Sequence, residues 1–82
     1  MIMCHLVADT PAELLEMAQR IGIKLHWFQA TASTPHFDIS LSKRQLALDA
    51  GALPLDRRGL VAKIREIRQT WPRLPDGSWV LA

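Results

Sequence analysis

The spacing of apolar residues predicts an amphipathic helix early in the chain. Its buried stripe recurs at helical intervals and comprises Leu14, Leu15, Ala18 and Ile21. Thr10 is a suitable N-cap because its hydroxyl can accept the backbone N–H of Glu13, while Pro11 lies where a missing N–H costs nothing. Gly22 can adopt positive φ, so the helix is expected to end there.

The same kind of pattern predicts two further helices. The second runs from Leu41 to Ala50, with Ser40 as its N-cap and Gly51 after its last turn. The third begins after Asp56 and ends before Pro72. Its apolar stripe comprises Leu60, Ile64, Ile67 and Trp71.

Short apolar segments between these helices predict strands. Residues 3–8 and 23–28 are bounded by helix signals, and the second segment alternates apolar with polar positions. Residues 52–55 could add a third strand, at a sheet edge because Pro54 cannot donate a hydrogen bond. The turn at residues 75–77 precedes a tail that either forms a short strand or packs loosely.

This order of elements predicts one small α/β domain over residues 1–82, with residues 71–82 as a C-terminal tail. A strand, a helix and a strand in succession favour a right-handed parallel crossover. The expected fold is therefore a βαβ-αβα layer with a short, largely parallel sheet. An α+β arrangement or a mainly helical bundle stays open if the short strands do not form.

Composition and charge narrow the class of protein. Apolar residues make up 49% and charged residues 22% of the 82 positions, which favours a folded domain over a disordered chain. The single cysteine, Cys4, excludes an internal disulfide and, with no apolar run near ~20 residues, favours a cytoplasmic protein without a membrane span. We expect Cys4 to be a small core residue rather than a nucleophile.

The basic residues are concentrated in the second half. Residues 1–41 carry two cationic and four acidic side chains, whereas residues 42–82 carry eight cationic and four acidic ones. The net positive charge of the second half permits contact with phosphate or an acidic partner. The cations of the third helix spread around its circumference, so a solvated face is favoured over a nucleic-acid interface; they are Arg57, Arg58, Lys63, Arg65 and Arg68.

Polar residues follow the first two predicted strands. Asp9 ends the first, Gln29 ends the second, and His36 and Asp38 lie on the loop beyond. Ligands gather at the carboxyl ends of parallel strands, and His5 shares a side of its strand with Asp9. We therefore expect these residues to form one polar cluster. The alternative assigns Asp9 and Asp38 to turns or caps, and His5 to a partly buried, hydrogen-bonded position of its strand.

Imidazole and carboxylate groups suit zinc, manganese or iron, so His36 and Asp38 are the candidate metal ligands, joined by His5 or Asp9. Their spacing matches no specific ligand motif. The start of the second helix offers an anion site instead, through its free N–H groups and the side chains of Ser40, Ser42, Lys43 and Arg44. Residues 40–43 also fit the Ser-x-x-Lys spacing of acyl-serine enzymes, although the other elements of that machinery are missing.

The aromatic residues divide between core and surface. Trp27 and Phe28 are expected in the core rather than as a base-stacking platform, and Trp71 belongs to the buried stripe of the third helix. His26 is expected to face solvent. Trp79, in the tail, is the aromatic residue expected to contact a partner.

Several of these segments together resemble the domain of unknown function 4031 family of bacteria and phages. They are residues 4–10, 13–14, 18–22, 27–29, 35–39, 42–44 and 47–52. The resemblance covers about residues 3–68 and is carried best by the His-Leu-Val-Ala-Asp and His-aromatic-Asp pair of motifs. The matching polar positions are His5, Asp9, His36, Asp38, Lys43 and Arg44.

The chain departs from that family pattern in three places. Members often begin with an extra strand that carries two aspartates and a basic loop, and this sequence starts directly at the His-Leu-Val-Ala-Asp strand. Phe37 stands where the family usually has tyrosine, and residues 30–35 form a longer connection. The family lends no reaction, but its phage setting implies a cytoplasmic protein.

Three functions are compatible with these residues, and whether the protein is an enzyme stays open. The first is a small phage or bacterial binding module that holds an anionic or polar group, or a partner protein, at the His/Asp cluster. The second is a metal-dependent hydrolase or nuclease-like enzyme, with His36 and Asp38 as ligands and His5 as acid or base. The third is nucleic-acid binding through the third helix. No cofactor other than a divalent metal is indicated, and a homodimer stays open.

Overall fold

The computed structural model describes residues 3–81. Its elements are β1 (Met3–Leu6), α1 (Pro11–Arg20), β2 (Phe37–Ser40), α2 (Leu41–Asp49) and α3 (Arg57–Thr70). The protein is a mixed α/β domain, and the three predicted helices are confirmed.

The sheet has two strands, and they run antiparallel. Met3 pairs with Ser40 and Leu6 pairs with Phe37. The predicted largely parallel sheet is therefore wrong. A parallel crossover needs a strand directly after α1, and the chain forms none there.

Residues 23–28 form a turn in place of the predicted second strand. Ile23 is buried, and its N–H donates to the carbonyl oxygen of Ala18 at 2.8 Å, which closes the end of α1. A single 3₁₀ turn follows over Leu25–Trp27. Trp27 is 54% exposed, so its predicted core position is wrong, whereas His26 is exposed as expected. Local turn bonds satisfy this backbone without a neighbouring strand.

The predicted third strand is also absent from the described residues. The N–H of Ala52 bonds to the carbonyl oxygen of Ala47 at 2.9 Å and extends the end of α2. Residues 53–55 continue without regular structure, and Leu53 is 82% exposed. Pro54 has no N–H to contribute to a sheet, which weakens any pairing of so short a segment.

Side-chain caps fix the starts of the helices. Thr10 Oγ1 accepts the N–H of Glu13 at 3.2 Å, and Ser40 Oγ accepts the N–H of Lys43 at 3.3 Å. Asp56 performs the same role for α3. Each cap satisfies one of the backbone donors that a helix start leaves unpaired, so these boundaries are set by local sequence.

The core lies between one face of the sheet and the helices. Phe37 and Ile39 point inward from β2, and Leu6 does so from β1. The other buried apolar residues are Leu14, Ala18, Ile21, Ile23, Ala47, Ile67, Trp71 and Trp79. Because strand side chains alternate, His5 and Asp38 project from the opposite, open face of the sheet.

The tail is part of this core. Trp79 is 3% exposed, and its indole N–H donates to the carbonyl oxygen of Ala32 at 2.8 Å. The guanidinium of Arg73 lies 3.7 Å from the centre of the Trp79 ring, a cation–π contact. The expectation that Trp79 contacts a partner is therefore wrong, and this indole instead fastens the tail to the loop before β2.

Within residues 3–81, no helix has the length and apolar character required to cross a membrane.

Candidate functional site

The register of the sheet brings a histidine and a carboxylate together. His5 on β1 is the cross-strand partner of Asp38 on β2. His5 Nε2 lies 3.3 Å from Asp38 Oδ1 on the open face. Directly opposite residues of an antiparallel pair have adjacent side chains, so this contact follows from the pairing itself.

His36 completes the cluster. It immediately precedes β2, and its Nε2 also lies 3.3 Å from Asp38 Oδ1. The rings of His5 and His36 are 4.5 Å apart between centroids and inclined by 34°. One ligand atom from each of the three residues lies within 4.8 Å of the other two. We call this set the His5/His36/Asp38 cluster.

The main chain orients the His36 ring. Nδ1 of His36 lies 2.8 Å from the carbonyl oxygen of Thr34. Pro35 between them is fully buried, and the N–H of Gln29 donates to the carbonyl oxygen of His36 at 3.0 Å. The side chain of His36 is only 15% exposed. The ring is thus fixed on both sides and directs Nε2 toward Asp38.

This orientation has an electrostatic consequence. A carbonyl oxygen only accepts, so Nδ1 of His36 carries the proton and Nε2 of the neutral ring carries a lone pair. That lone pair faces a carboxylate oxygen, which also lacks a proton when it is ionised. Two such atoms repel at 3.3 Å unless a proton or a metal cation lies between them. A proton on Nε2 or a bound metal cation would remove this repulsion.

Two of the three donor separations are compatible with a transition metal. Zinc bonds of about 2.0–2.1 Å place two tetrahedral ligand atoms about 3.3 Å apart. Both histidine nitrogens lie at this distance from Asp38 Oδ1. In a typical metal-binding histidine, one ring nitrogen binds the metal and the other donates its N–H to a carbonyl oxygen or a carboxylate. Nδ1 of His36 has such a partner in Thr34. The side chain of His5 is 59% exposed, which leaves the solvent side of the cluster open for a further ligand.

Two predicted members of the cluster lie elsewhere. Asp9 forms an ion pair with Lys63 of α3, and this hydrogen bond raises the pKa of Lys63. Gln29 has an exposed side chain and contributes its main-chain N–H to His36. Adjacent strands of an antiparallel sheet run in opposite directions, so their carboxyl ends lie at opposite ends of the pair. The prediction grouped Asp9 with Asp38 on the assumption of parallel strands and therefore does not apply.

The side chains predicted to form an anion site at the start of α2 do not converge. Ser40 Oγ accepts the N–H of Lys43 and lies 3.1 Å from Ser42 Oγ. Lys43 points away and donates from Nζ to the carbonyl oxygen of Ile21 at 2.8 Å. Arg44 lines a groove along β1. The helix start is thus capped by its own serine, and the two cations serve other surfaces.

Sequence reasoning missed three partners of the polar residues. They are Thr34, which orients His36; Lys63, which binds Asp9; and Trp71, whose indole N–H lies 3.1 Å from the carbonyl oxygen of Asp9. The last two are far from Asp9 in the chain, so no local pattern marks them. The Thr34 contact uses a main-chain oxygen, which any residue type could supply.

Comparison with known proteins gives one result. No curated protein and no solved structure matches this chain. The model of a family described as proteins of unknown function, DUF4031, matches residues 1–67. That match includes β1, β2 and all three residues of the His5/His36/Asp38 cluster. The chain therefore belongs to the DUF4031 family.

Proposed function

We propose that this protein is a small binding module whose His5/His36/Asp38 cluster holds a divalent metal ion. Through that ion the module binds an anionic group of a ligand or a partner protein. The observation that carries the proposal is the convergence of two imidazole nitrogens on one carboxylate oxygen, each at 3.3 Å. We place the protein in the cytoplasm, where its single, half-buried cysteine would stay reduced.

The donor set favours zinc or a similar transition metal over magnesium or calcium. Imidazole nitrogen is a good ligand for zinc, copper, nickel and iron, whereas magnesium and calcium prefer oxygen. Two of the three donors are imidazoles. Two of the three donor separations are 3.3 Å, which is compatible with tetrahedral coordination by three protein ligands with one position left.

The remaining position supports binding of an anionic oxygen. Three protein ligands leave a zinc ion with a net positive charge, because only Asp38 contributes a negative one. The cluster lies on the open face of the sheet, and Asp38 is 40% exposed. A carboxylate or phosphate can therefore approach the metal from solvent and replace a bound water.

The direct test is zinc binding by the chelator-treated protein, measured by titration calorimetry. We expect one zinc ion per chain and no heat on addition of magnesium. Cobalt(II) should give the visible absorption bands of a tetrahedral ion. His5→Ala, His36→Ala and Asp38→Ala should each weaken zinc binding by at least about tenfold.

A matched control shows whether zinc binding requires the cluster or any exposed histidine. His26 is the one histidine of the chain outside the cluster, and it lies on the exposed turn after α1. His26→Ala should bind zinc as the wild type does. If wild type and His36→Ala bind zinc equally well, or if no zinc binds, the proposal is rejected.

A second candidate is metal-dependent hydrolysis. The observation in its favour is the number of protein ligands, because catalytic zinc sites commonly keep three and use the fourth position for water. Zinc would lower the pKa of that water and so supply a nucleophile near neutral pH. His5 would then act as a ligand rather than as the acid or base.

Activity on a chromogenic phosphodiester tests this candidate. Zinc-loaded wild type should release the chromophore faster than zinc-loaded Asp38→Ala at equal metal concentration. Equal rates would leave the protein as a binding module and exclude hydrolysis of that bond by this cluster.

A further inference from the structure

A groove of about 740 Å³ runs along β1, and Ile39 of β2 contributes to its lining. Seven consecutive residues, 3–9, line it. Side chains of an extended segment alternate between its faces, so an unbroken run of lining residues means that the main-chain edge itself borders the groove. Among the described residues, β1 pairs only with β2. The N–H and C=O groups on its other edge are therefore available to another strand.

Most of the residues that line this groove are apolar. Met17 of α1, Leu48 of α2 and Leu60 of α3 contribute from the helices, and residues 52–55 contribute from the connection before α3. The large apolar side chains at its border are exposed: Leu53 by 82%, Leu55 by 46% and Met3 by 45%. Exposed apolar residues that border one concavity are typical of an interaction surface.

Opposite charges lie toward the two ends of the groove. Arg44 lies one turn into α2, which begins beside the Met3 end of β1 because Met3 pairs with Ser40. Glu13 lies in the first turn of α1, beyond the Leu6 end. Within residues 3–81, neither side chain takes part in an ion pair. The groove thus has an unpaired basic side chain toward one end and an unpaired acidic one toward the other, beside the Asp9–Lys63 ion pair that also lines it.

We propose that the open edge of β1 is the interface of a homodimer, in which β1 pairs antiparallel with β1 of a second copy. A surface that is basic at one end and acidic at the other is complementary to itself across a two-fold axis. Arg44 of each copy then faces Glu13 of the other. The exposed leucines of each copy cover the groove of its partner, and the sheet becomes four continuous antiparallel strands.

The pleat restricts the register of this pairing. Directly opposite residues of antiparallel strands project from the same face, so the apolar inward positions must align with each other. The two-fold axis must then pass between two copies of the same residue, for example Cys4 opposite Cys4 or His5 opposite His5. An axis between two successive positions would bring inward residues of one copy opposite outward residues of the other.

The test is sedimentation velocity of the full chain in a chelating buffer, which removes any bridging by metal. We expect a dimer. Leu53→Asp should give a monomer, because it places a charge in the apolar contact. Leu74→Asp is the matched control, because Leu74 is 52% exposed and does not line the groove, and it should leave the dimer intact.

A charge exchange tests the orientation. Arg44→Glu and Glu13→Arg should each weaken the dimer by about tenfold, because each brings like charges together. The double variant should regain most of the lost affinity. Arg68→Glu, on α3 and outside the groove, should have no effect.

The outcomes are decisive provided that circular dichroism shows each variant to be folded. A monomeric wild type overturns the proposal. If Leu53→Asp leaves the dimer intact, the interface lies elsewhere and the proposal is overturned. The proposal is also overturned if the double charge exchange does not restore the dimer.

Discussion

His5 and Asp38 face each other across the two-stranded sheet, with His5 Nε2 3.3 Å from Asp38 Oδ1. The side chains are 59% and 40% exposed. An exposed pair of this kind contributes only about 0–1 kcal/mol to folding. The pair therefore contributes little to the fold, and the proposed cation binding would give its position beside His36 a function.

Asp38→Asn tests this separation of binding from stability. The amide keeps the size of the carboxylate but removes its charge, so we expect zinc binding to weaken by at least about tenfold. The free energy of unfolding in urea should change by less than about 1 kcal/mol. Loss of the folded state, with zinc binding unmeasurable for that reason, would mark the carboxylate as structural.

Lys43→Met should lower stability without affecting the metal. Lys43 Nζ donates to the carbonyl oxygen of Ile21 at the end of α1, and methionine keeps the alkyl stem but cannot donate. We expect a loss of about 1 kcal/mol in urea unfolding and unchanged zinc affinity. Arg65→Met, at an exposed position of α3, is the control and should be nearly neutral. Reduced zinc affinity in Lys43→Met would instead show that this lysine contributes to metal binding.

Trp79→Ala should destabilise the domain by about 3–5 kcal/mol, as large-to-small substitutions in a core do. Trp79 is 3% exposed and ties the tail to the loop before β2. Trp27→Ala removes the same side chain from a position that is 54% exposed, so its effect should be clearly smaller, about 1 kcal/mol. Urea unfolding followed by circular dichroism measures both. Equal effects would contradict the docked position of the tail.

The ion pair between Lys63 and Asp9 predicts a loss of stability at alkaline pH. The hydrogen bond to Asp9 raises the pKa of Lys63 above its ordinary value of 10.5. A raised pKa means that the folded state holds the proton more tightly than the unfolded chain, so the contribution is full below 10.5 and disappears as pH rises through the folded pKa.

The comparison of wild type with Lys63→Met measures this effect. The difference in unfolding free energy should be constant near neutral pH and should shrink at alkaline pH. In an Asp9→Asn background the alkaline change should become smaller, because the main cause of the raised pKa is gone and only Glu66 still raises it. A difference that grows with pH would contradict the assigned pairing.

Local sequence determined the helices of this protein and their limits. Thr10, Ser40 and Asp56 each cap the helix that follows, as predicted, because a cap is an interaction between residues three positions apart. Gly22 and Gly51 adopt φ of 78° and 103° after α1 and α2, where a residue without Cβ is favoured. The pairing of His36 with Asp38 was also predictable, since both belong to one short segment.

The tertiary structure alone decided the sheet and the third member of the cluster. A strand forms only where a partner strand lies alongside, and residues 23–28 and 52–55 have none, so their apolar patterns produce turns and exposed leucines. The antiparallel register then placed His5, rather than Asp9, beside Asp38. Local hydrogen bonds are encoded by neighbours in sequence, whereas strand pairing depends on contacts between distant segments that no single segment specifies.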